Sequence, residues 1–457
     1  MPASTRPDIL PLLPSQAWIL DQLRESQLNA QRFNLCRVLT VPAECVTASA
    51  LTAVTAVWRS HGALRATFHQ ERGAWRQHIA DAFAQPPFRS VDLSRVPATE
   101  REAAIDRLTE TLHNTLNVET GPLVRFLHIH AEADTSSNLV VVVHHLVCDY
   151  LSLSMLISDL DSAIARLREG REPRIVVGAD YAQAVRALAA YSASDTLLGE
   201  LPYWASQPWD ETVMLPTDRP DYEGEAFRQW TSLTVSVDER HTHAVIRTLP
   251  EQEGLAPQQV IVGTVADALT AWADGPICVQ VLRHGRDFKH GADGPVVLPP
   301  QVWRTVGFFA TSGLVIVPPR GVLDPVAYLQ SIAELMRAAP NHGTGIGLLR
   351  WSAPAGPFST AVRKMWSRSA VQLNYFGSGS RRARNAFQAI SVCDRPISSA
   401  PDPLESRLPL TVRMAVRADR LRVTLDYDAG LHLGSTAAEI AQLICDGFSR
   451  YASATAT

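Results

Sequence analysis

The sequence predicts a mixed α/β protein made of two halves, and three observations carry that prediction. The chain has 457 residues, too many for one ordinary core and well suited to two domains of roughly 200 residues each. Extended and helical patterns alternate in both halves. Between the halves, from about Ile175 to Ala226, runs a connector containing Leu215-Pro216-Thr217-Asp218-Arg219-Pro220, whose prolines continue neither a helix nor a central strand. Two α/β halves joined in this way predict a bilobal protein with its site between the lobes. The expected limits are 1–178 for the first lobe, 179–225 for the connector and 226–457 for the second.

In chain order, Pro14–Glu25 reads as an opening helix, Arg37–Val41 as a strand, Val46–His61 as an amphipathic helix and Leu123–His130 as a strand. Leu139-Val140-Val141-Val142-Val143 is a continuous, mostly β-branched run, the pattern of a strand buried on both faces. A short loop carrying Asp149 follows. Leu153, Leu156, Ile157, Leu160, Ile164 and Leu167 then recur at helical spacing, with Ser152 in N-cap position. The second half offers strands at Thr231–Val237, Ile277–Leu282, Gly313–Val317 and Leu421–Tyr427, and helices at Pro257–Trp272, Pro325–Ala338 and Ser435–Tyr451.

Composition narrows the function classes. Apolar residues make up 46% of the chain and charged residues 19%, with a net charge of −4, the profile of a soluble globular protein without the basic face that nucleic-acid binding requires. Apolar runs such as Leu139–Val143 and Leu314–Val317 are too short to span a bilayer. The prolines at 2, 7, 11 and 14 leave no signal-peptide core. The six cysteines (36, 45, 148, 278, 393 and 445) are scattered, with no C-x-x-C pair and no zinc-ligand spacing, so no metal site is expected and the thiols read as reduced and cytoplasmic.

The most informative segment is His144-His145-Leu146-Val147-Cys148-Asp149-Tyr150, where a buried strand gives way to a loop and a helix. Strand ends of this kind place side chains rigidly at a cleft. Neighbouring residues in extended backbone point to opposite sides, so the two imidazoles do not converge on one ion; one would face the reaction space while the other packs into the structure. Taken alone, such a pair is more often two packed polar groups than a catalytic one. Asp149 is placed to accept a hydrogen bond or to pair with an arginine, holding the turn rigid.

At this point the sequence resembles the condensation-domain superfamily of nonribosomal peptide synthetases, which shares its fold with chloramphenicol acetyltransferase. The family pattern HHxxxDGxS is met by His144-His145, Asp149 and Ser152. Leu12-Leu13-Pro14-Ser15-Gln16, Phe33-Asn34-Leu35, Gly121-Pro122-Leu123, Asp180-Tyr181-Ala182, Tyr203-Trp204 and Leu215–Pro220 follow in family order. The second half is similar to the epimerization branch: His284-Gly285-Arg286-Asp287, Arg304–Phe309, Pro340–Gly347 and Asn374-Tyr375-Phe376-Gly377 resemble its EGHGRE, RTVGWF, PxxGxGYG and NYLG motifs.

The resemblance implies two chloramphenicol-acetyltransferase-like lobes in a V-shaped pseudo-dimer with an active-site tunnel between them. It implies His145 as the catalytic residue, which receives an amine or hydroxyl acceptor as it attacks a carrier-protein phosphopantetheine thioester. His144, Asp149 and Arg286 would be structural, with Asp149 and Arg286 forming a buried ion pair. No cofactor is bound; the phosphopantetheine arm arrives on an acyl- or peptidyl-carrier protein, the partner besides the small-molecule acceptor. With no adenylation or carrier segment recognisable, a free-standing cytoplasmic acyltransferase is expected, with no nucleic-acid or membrane partner.

Two departures qualify this. In register with EGHGRE, the branch's first Glu falls on Leu282, and leucine transfers no proton. The family Gly after the Asp is Tyr150, a tunnel-shaping candidate whose side chain either narrows the tunnel, selects an unusual acceptor, marks a silent site or turns outward to solvent. Epimerization on a carrier protein and a catalytically silent docking module are therefore the competing expectations. Three further matches carry no weight. Gly343–Gly347 lacks Rossmann context, Gly377–Ser380 lacks nucleophile-elbow spacing, and Arg381–Arg384 reads as a solvated turn.

Overall fold

The computed structural model describes residues 8–25, 33–71, 73–81, 84–131, 136–220, 222, 230–290, 294–378, 389–392, 408 and 410–454. The chain divides into two compact units. Unit 1 contains Met1–Ala190, Val297–Phe309 and Arg382–Asp402; unit 2 contains Tyr191–Val296, Ala310–Arg381 and Pro403–Thr457. These limits differ from the linear 178/225 division because two later segments pack with the first 190 residues. The expected connector also holds regular structure, with helices at Tyr181–Ser192, Asp195–Leu198 and Leu201–Ala205; Leu215–Pro220 lies in no helix or strand.

In unit 1, strands β1 (Asp8–Leu10), β2 (Asn34–Val41), β3 (Ala66–Glu71), β4 (Ala74–Ile79), β5 (Phe88–Asp92), β6 (Val124–His130) and β7 (Ser137–His144) are interleaved with helices α1 (Pro14–Glu25), α2 (Thr47–Ser60), α3 (Ala98–His113) and α4 (Tyr150–Arg168). β1, β4 and β3 make a small antiparallel sheet. The apolar run Leu139–Val143 is fully buried in the centre of the larger sheet, as its composition requires. There β7 pairs antiparallel with β2 and β6, while β5 joins β6 in parallel. Val140 and Val142 pack with Cys36, Val38, Leu127 and Ile129, under Ala104 and Leu112 of α3. Asn34 lies opposite His144 in register, so β2 starts three residues before the stretch expected from its apolar pattern and brings Phe33 beside the histidine pair.

Unit 2 holds β8 (Trp230–Ser236), β9 (Ile277–Arg283), β10 (Thr311–Val317) and β11 (Ser369–Ser378). The short β12 (Ser391–Val392) belongs to unit 1 and adds an edge to β2. β13 (Leu410–Arg417) and β14 (Arg420–Asp428) complete the six-stranded sheet of unit 2, in the order β10-β9-β11-β13-β14-β8. One face of this sheet (Val279, Val281, Val371, Leu373, Val412, Val423, Leu425) forms a single core with Val260, Ile261, Leu329, Ile332, Ile440, Ile444 and Phe448 from helices Pro257–Ala273, Pro325–Ala338 and Gly434–Ser453. Among the described residues no helix is long and apolar enough to cross a membrane.

Candidate active site

The histidine pair straddles an element boundary. His144 is the last residue of β7, and His145 opens a 3-10 turn, His145–Val147. The two rings thus differ because the backbone changes conformation between them, not through strand alternation alone. His144 is fully buried, and its Nδ1 accepts a hydrogen bond from Leu146 N at 3.2 Å, so its ring caps the turn. The His145 backbone N–H donates to Phe33 O at 2.7 Å.

Around the His145 imidazole stand three aromatic rings. Phe33 stacks on it with centroids 4.6 Å apart and planes at 12°. Phe308 meets it at 4.5 Å, tilted by 52°. Tyr150, half-buried, stands edge-on at 5.7 Å. His145 is 7% exposed, and its Nδ1 has no hydrogen-bond partner from another residue among those described. Burial pushes its pKa down to about 4, against the opposing pull of the Asp149 charge and of its own backbone carbonyl. At neutral pH the imidazole is uncharged and able to accept a proton or a hydrogen bond.

Asp149 forms the other end of the turn. It caps α4, taking the place expected for Ser152: one carboxylate oxygen accepts from Ser152 N at 2.8 Å. The other oxygen accepts from Phe309 N at 3.1 Å. Ser152 is freed for a different task, since its hydroxyl donates to Gly307 O at 2.8 Å and lies 3.0 Å from Gly307 N. Asp149 N also donates to Gly307 O, at 3.2 Å. The stretch Gly307-Phe308-Phe309 is thereby laced to the histidine turn, which is how Phe308 comes to wall His145. A Cβ at Gly307 would lie 2.7 Å from the rings of Phe309 and Tyr181, so no larger residue fits there unaltered.

The turn is also held from behind. Gln16 of α1, fully buried, donates from Nε2 to Leu146 O at 2.8 Å, while its Oε1 accepts from Leu13 N. Tyr181 OH donates to Gln77 Oε1 at 2.8 Å, and Gln77 Nε2 reaches Pro11 O and Gln16 Oε1. A closed network of this kind fixes a backbone more firmly than its bonds taken singly. The short motif around Gln16 is visible in the sequence. Its link to Leu146, 130 residues away, has no local signal, and neither do the Phe33 and Phe308 walls.

Arg286 belongs to unit 2. It is buried, with its backbone N–H on His284 Nδ1 at 3.1 Å and its guanidinium on His284 O at 3.0 Å. Leu282 lies on β9, two residues beyond Gln280 and on the same face. Arg381–Arg384 and Gly379-Ser380 lie outside the described residues. Among the described residues no three His, Cys, Asp or Glu side chains are arranged to hold a metal ion.

Comparison with known proteins identifies the family and the fold. The family profile described as Condensation domain matches residues 7–451. The chain is 28% identical to a component of the linear gramicidin synthase of Brevibacillus parabrevis over 444 residues, covering 94% of this chain and 8% of that protein. It is 26% identical to a chondramide synthase of Chondromyces crocatus, also over 444 residues, covering 94% of this chain and 11% of that one. The chain thus spans only a small part of these much longer relatives. Among solved structures it is similar to the epimerization domain from the third module of tyrocidine synthetase B, with TM-score 0.81, 20% identity, and 98% and 97% of the two chains covered. It is also similar to the first condensation domain of the calcium-dependent antibiotic synthetase, in complex with a substrate analogue, with TM-score 0.69, 17% identity and 97% of each chain covered. The fold is the two-lobe, chloramphenicol-acetyltransferase-like one.

Proposed function

Because the chain belongs to the condensation-domain family of nonribosomal peptide synthesis, we propose that it transfers an acyl or aminoacyl group from a carrier-protein phosphopantetheine thioester to an amine or hydroxyl acceptor. The observation that carries this reading is the His145 imidazole, uncharged and held by Phe33, Phe308 and the bonded turn around Asp149. In the proposed reaction the acceptor's N–H or O–H donates to His145. As its nitrogen or oxygen bonds to the thioester carbon, that proton passes to the ring and the thiolate leaves, taking up a proton in turn. A site that depresses the imidazole pKa disfavours a free imidazolium, so His145 serves first to orient the acceptor, and it holds the proton only as charge develops in the transition state.

His144, Asp149 and Arg286 are proposed as structural residues. The bonds of the first two build the turn, and an Asp149–Arg286 pair, as the family resemblance implies, would act in the same sense. Tyr150, edge-on to His145 where the family has glycine, is proposed to shape the space in front of the imidazole and so to restrict the acceptor. The carrier protein and the small-molecule acceptor are the proposed partners.

A second reading is α-carbon epimerization on a carrier protein, favoured by the TM-score of 0.81 to an epimerization domain and opposed by Leu282, which offers no proton. Mass spectrometry on mixtures of aminoacyl-carrier thioesters and acceptors separates the two. Acyl transfer gives an amide or ester product and no solvent deuterium at the α-carbon. Deuterium uptake without product would support epimerization instead. Carrier binding with neither outcome would support a docking module, the reading that Tyr150 favours.

A further inference from the structure

The stretch that walls His145 is anchored to α4 a second time, two helical turns beyond the first anchor. Asp159 follows Ser152 by seven residues on α4, so the two share one face of the helix about 10 Å apart. Ser152 holds Gly307. Asp159 holds Arg304, one carboxylate oxygen accepting from Arg304 Nη2. Arg304 and Gly307 are three residues apart, an extended reach of about 10 Å, so the spacing of the two anchors matches on both sides. The other Asp159 oxygen lies 2.9 Å from Nε2 of His61, the residue that ends α2. All of these residues belong to unit 1.

The stretch is also fastened to residues 176–179, a segment without helix or strand. Thr305 Oγ1 donates to Ala179 O at 2.8 Å, Ala179 N to Gln301 O at 3.2 Å and Arg304 Nη2 to Val176 O at 3.3 Å. The two backbones lie so close that a Cβ on Gly178 would come within 2.5 Å of Arg304 C and Gln301 O. Those bonds join one irregular segment to another, whereas Asp159 joins Arg304 to the helix that Asp149 caps. Asp159 and His61 are both buried. A buried ion pair adds little net stability over apolar packing of the same volume. What it adds here is a fixed geometry.

We propose that Asp159 and Arg304 are positioning residues for His145: their link sets the direction of Arg304–Phe309 relative to α4 and so holds Phe308 against the imidazole. A segment bonded to α4 near Gly307 alone pivots about that end. A second, charge-assisted bond about 10 Å away removes the pivot. A phenyl ring makes no strong hydrogen bond of its own, so the place of Phe308, 4.5 Å from His145, follows its backbone. His61 steadies the carboxylate from the side away from Arg304. That the link sets the rate of transfer rests on the acyl-transfer reading above; that it sets the surroundings of the ring does not.

Two readouts on the whole protein test this: the His145 imidazole resonance, assigned by its loss in His145→Ala, and steady-state transfer from a loaded carrier protein. In Arg304→Gln and Asp159→Asn the resonance moves, and kcat falls about ten- to hundredfold with KM within about twofold, because a displaced wall misplaces the ring in the transition state. The double variant matches the singles, since each loses the same link. Asp267→Asn in unit 2 controls for lost stability. Its carboxylate is also buried and accepts from Arg320 Nε, Arg450 Nη1 and Tyr451 OH at 3.1, 2.9 and 3.0 Å, yet its loss leaves resonance and kcat unchanged. If Asp159→Asn does not fold, Arg304→Gln decides, since that side chain is 37% exposed and its loss spares the Asp159–His61 contact. The proposal is overturned if the resonance of folded Arg304→Gln stays at its wild-type position, or if Asp267→Asn moves it equally. A moved resonance with unchanged transfer overturns the role of His145 and leaves the Asp159–Arg304 link standing.

Discussion

The turn after β7 in unit 1 and the polar row of Gln280, Gln372 and Thr411 across β9, β11 and β13 of the unit 2 sheet bury side chains of similar polarity and treat them in opposite ways. Around His145 the supporting groups are satisfied internally. Asp149 is engaged by Ser152 N and Phe309 N, Ser152 by Gly307, and Gln16 by Leu146 O and Leu13 N. In the unit 2 row three adjacent donors have no partner among the described residues. The first arrangement immobilises one side chain, while the second leaves buried donors unsatisfied, at a cost in stability. Rigidity of the first kind is what positioning a side chain demands.

If the turn is a closed scaffold, removing its central acceptor should damage it most. Asp149→Ala strands Ser152 N and Phe309 N and removes a helix cap, for an expected loss of about 4 kcal/mol in unfolding free energy by urea titration. Asp149→Asn, which keeps an acceptor oxygen, should lose clearly less. A loss within about 0.5 kcal/mol for the alanine variant would show that the turn is not held through Asp149.

Acid should act on the same region. Burial lowers both His145 and His128 to about 4, whereas in the unfolded chain they titrate near the ordinary value of about 6.5. Their folded pKa values are depressed, so the unfolded state binds more protons between these limits. Stability is full well above 6.5 and falls as the pH drops toward 4, by about 3.7 kcal/mol between pH 7 and 5 for the two groups together. A flat urea midpoint over that interval would contradict the burial of these rings as neutral species.

Crowding gives the smallest effect. Gly307→Ala forces a methyl group against Phe309 and Tyr181 and should destabilise by about 2 kcal/mol. It should also move Phe308 enough to change the His145 environment, seen as a shifted imidazole resonance. An unshifted resonance would mean that Phe308 does not set that environment.

Much of the fold, and the place of the histidine segment at the end of a buried strand, are legible in the sequence. The Leu139–Val143 run is a local pattern that only a central strand accommodates, and helices such as Pro325–Ala338 announce themselves by spacing. β11 and β13 are passed over because Gln372, Asn374, Thr411 and Arg413 interrupt their apolar character. That interruption is the polar row itself, recognisable only once strand register aligns residues far apart in the chain. Ser152 reads as a helix cap on local grounds, yet Asp149 caps α4 because Gly307, 155 residues away, engages the Ser152 hydroxyl. The walls of His145 are non-local in the same way: Phe33 arrives through the register of β2 with β7, and Phe308 through backbone bonds to Asp149 and Ser152.

The most direct test is single-turnover acyl transfer from a loaded carrier protein to acceptor, comparing wild type with His145→Ala, with folding checked by the unfolding midpoint. The expected result is product from the wild type and a rate lower by about 10²–10⁴-fold in a folded variant, the range of a positioned acid–base group. An equal rate in the two proteins would contradict the assignment of His145.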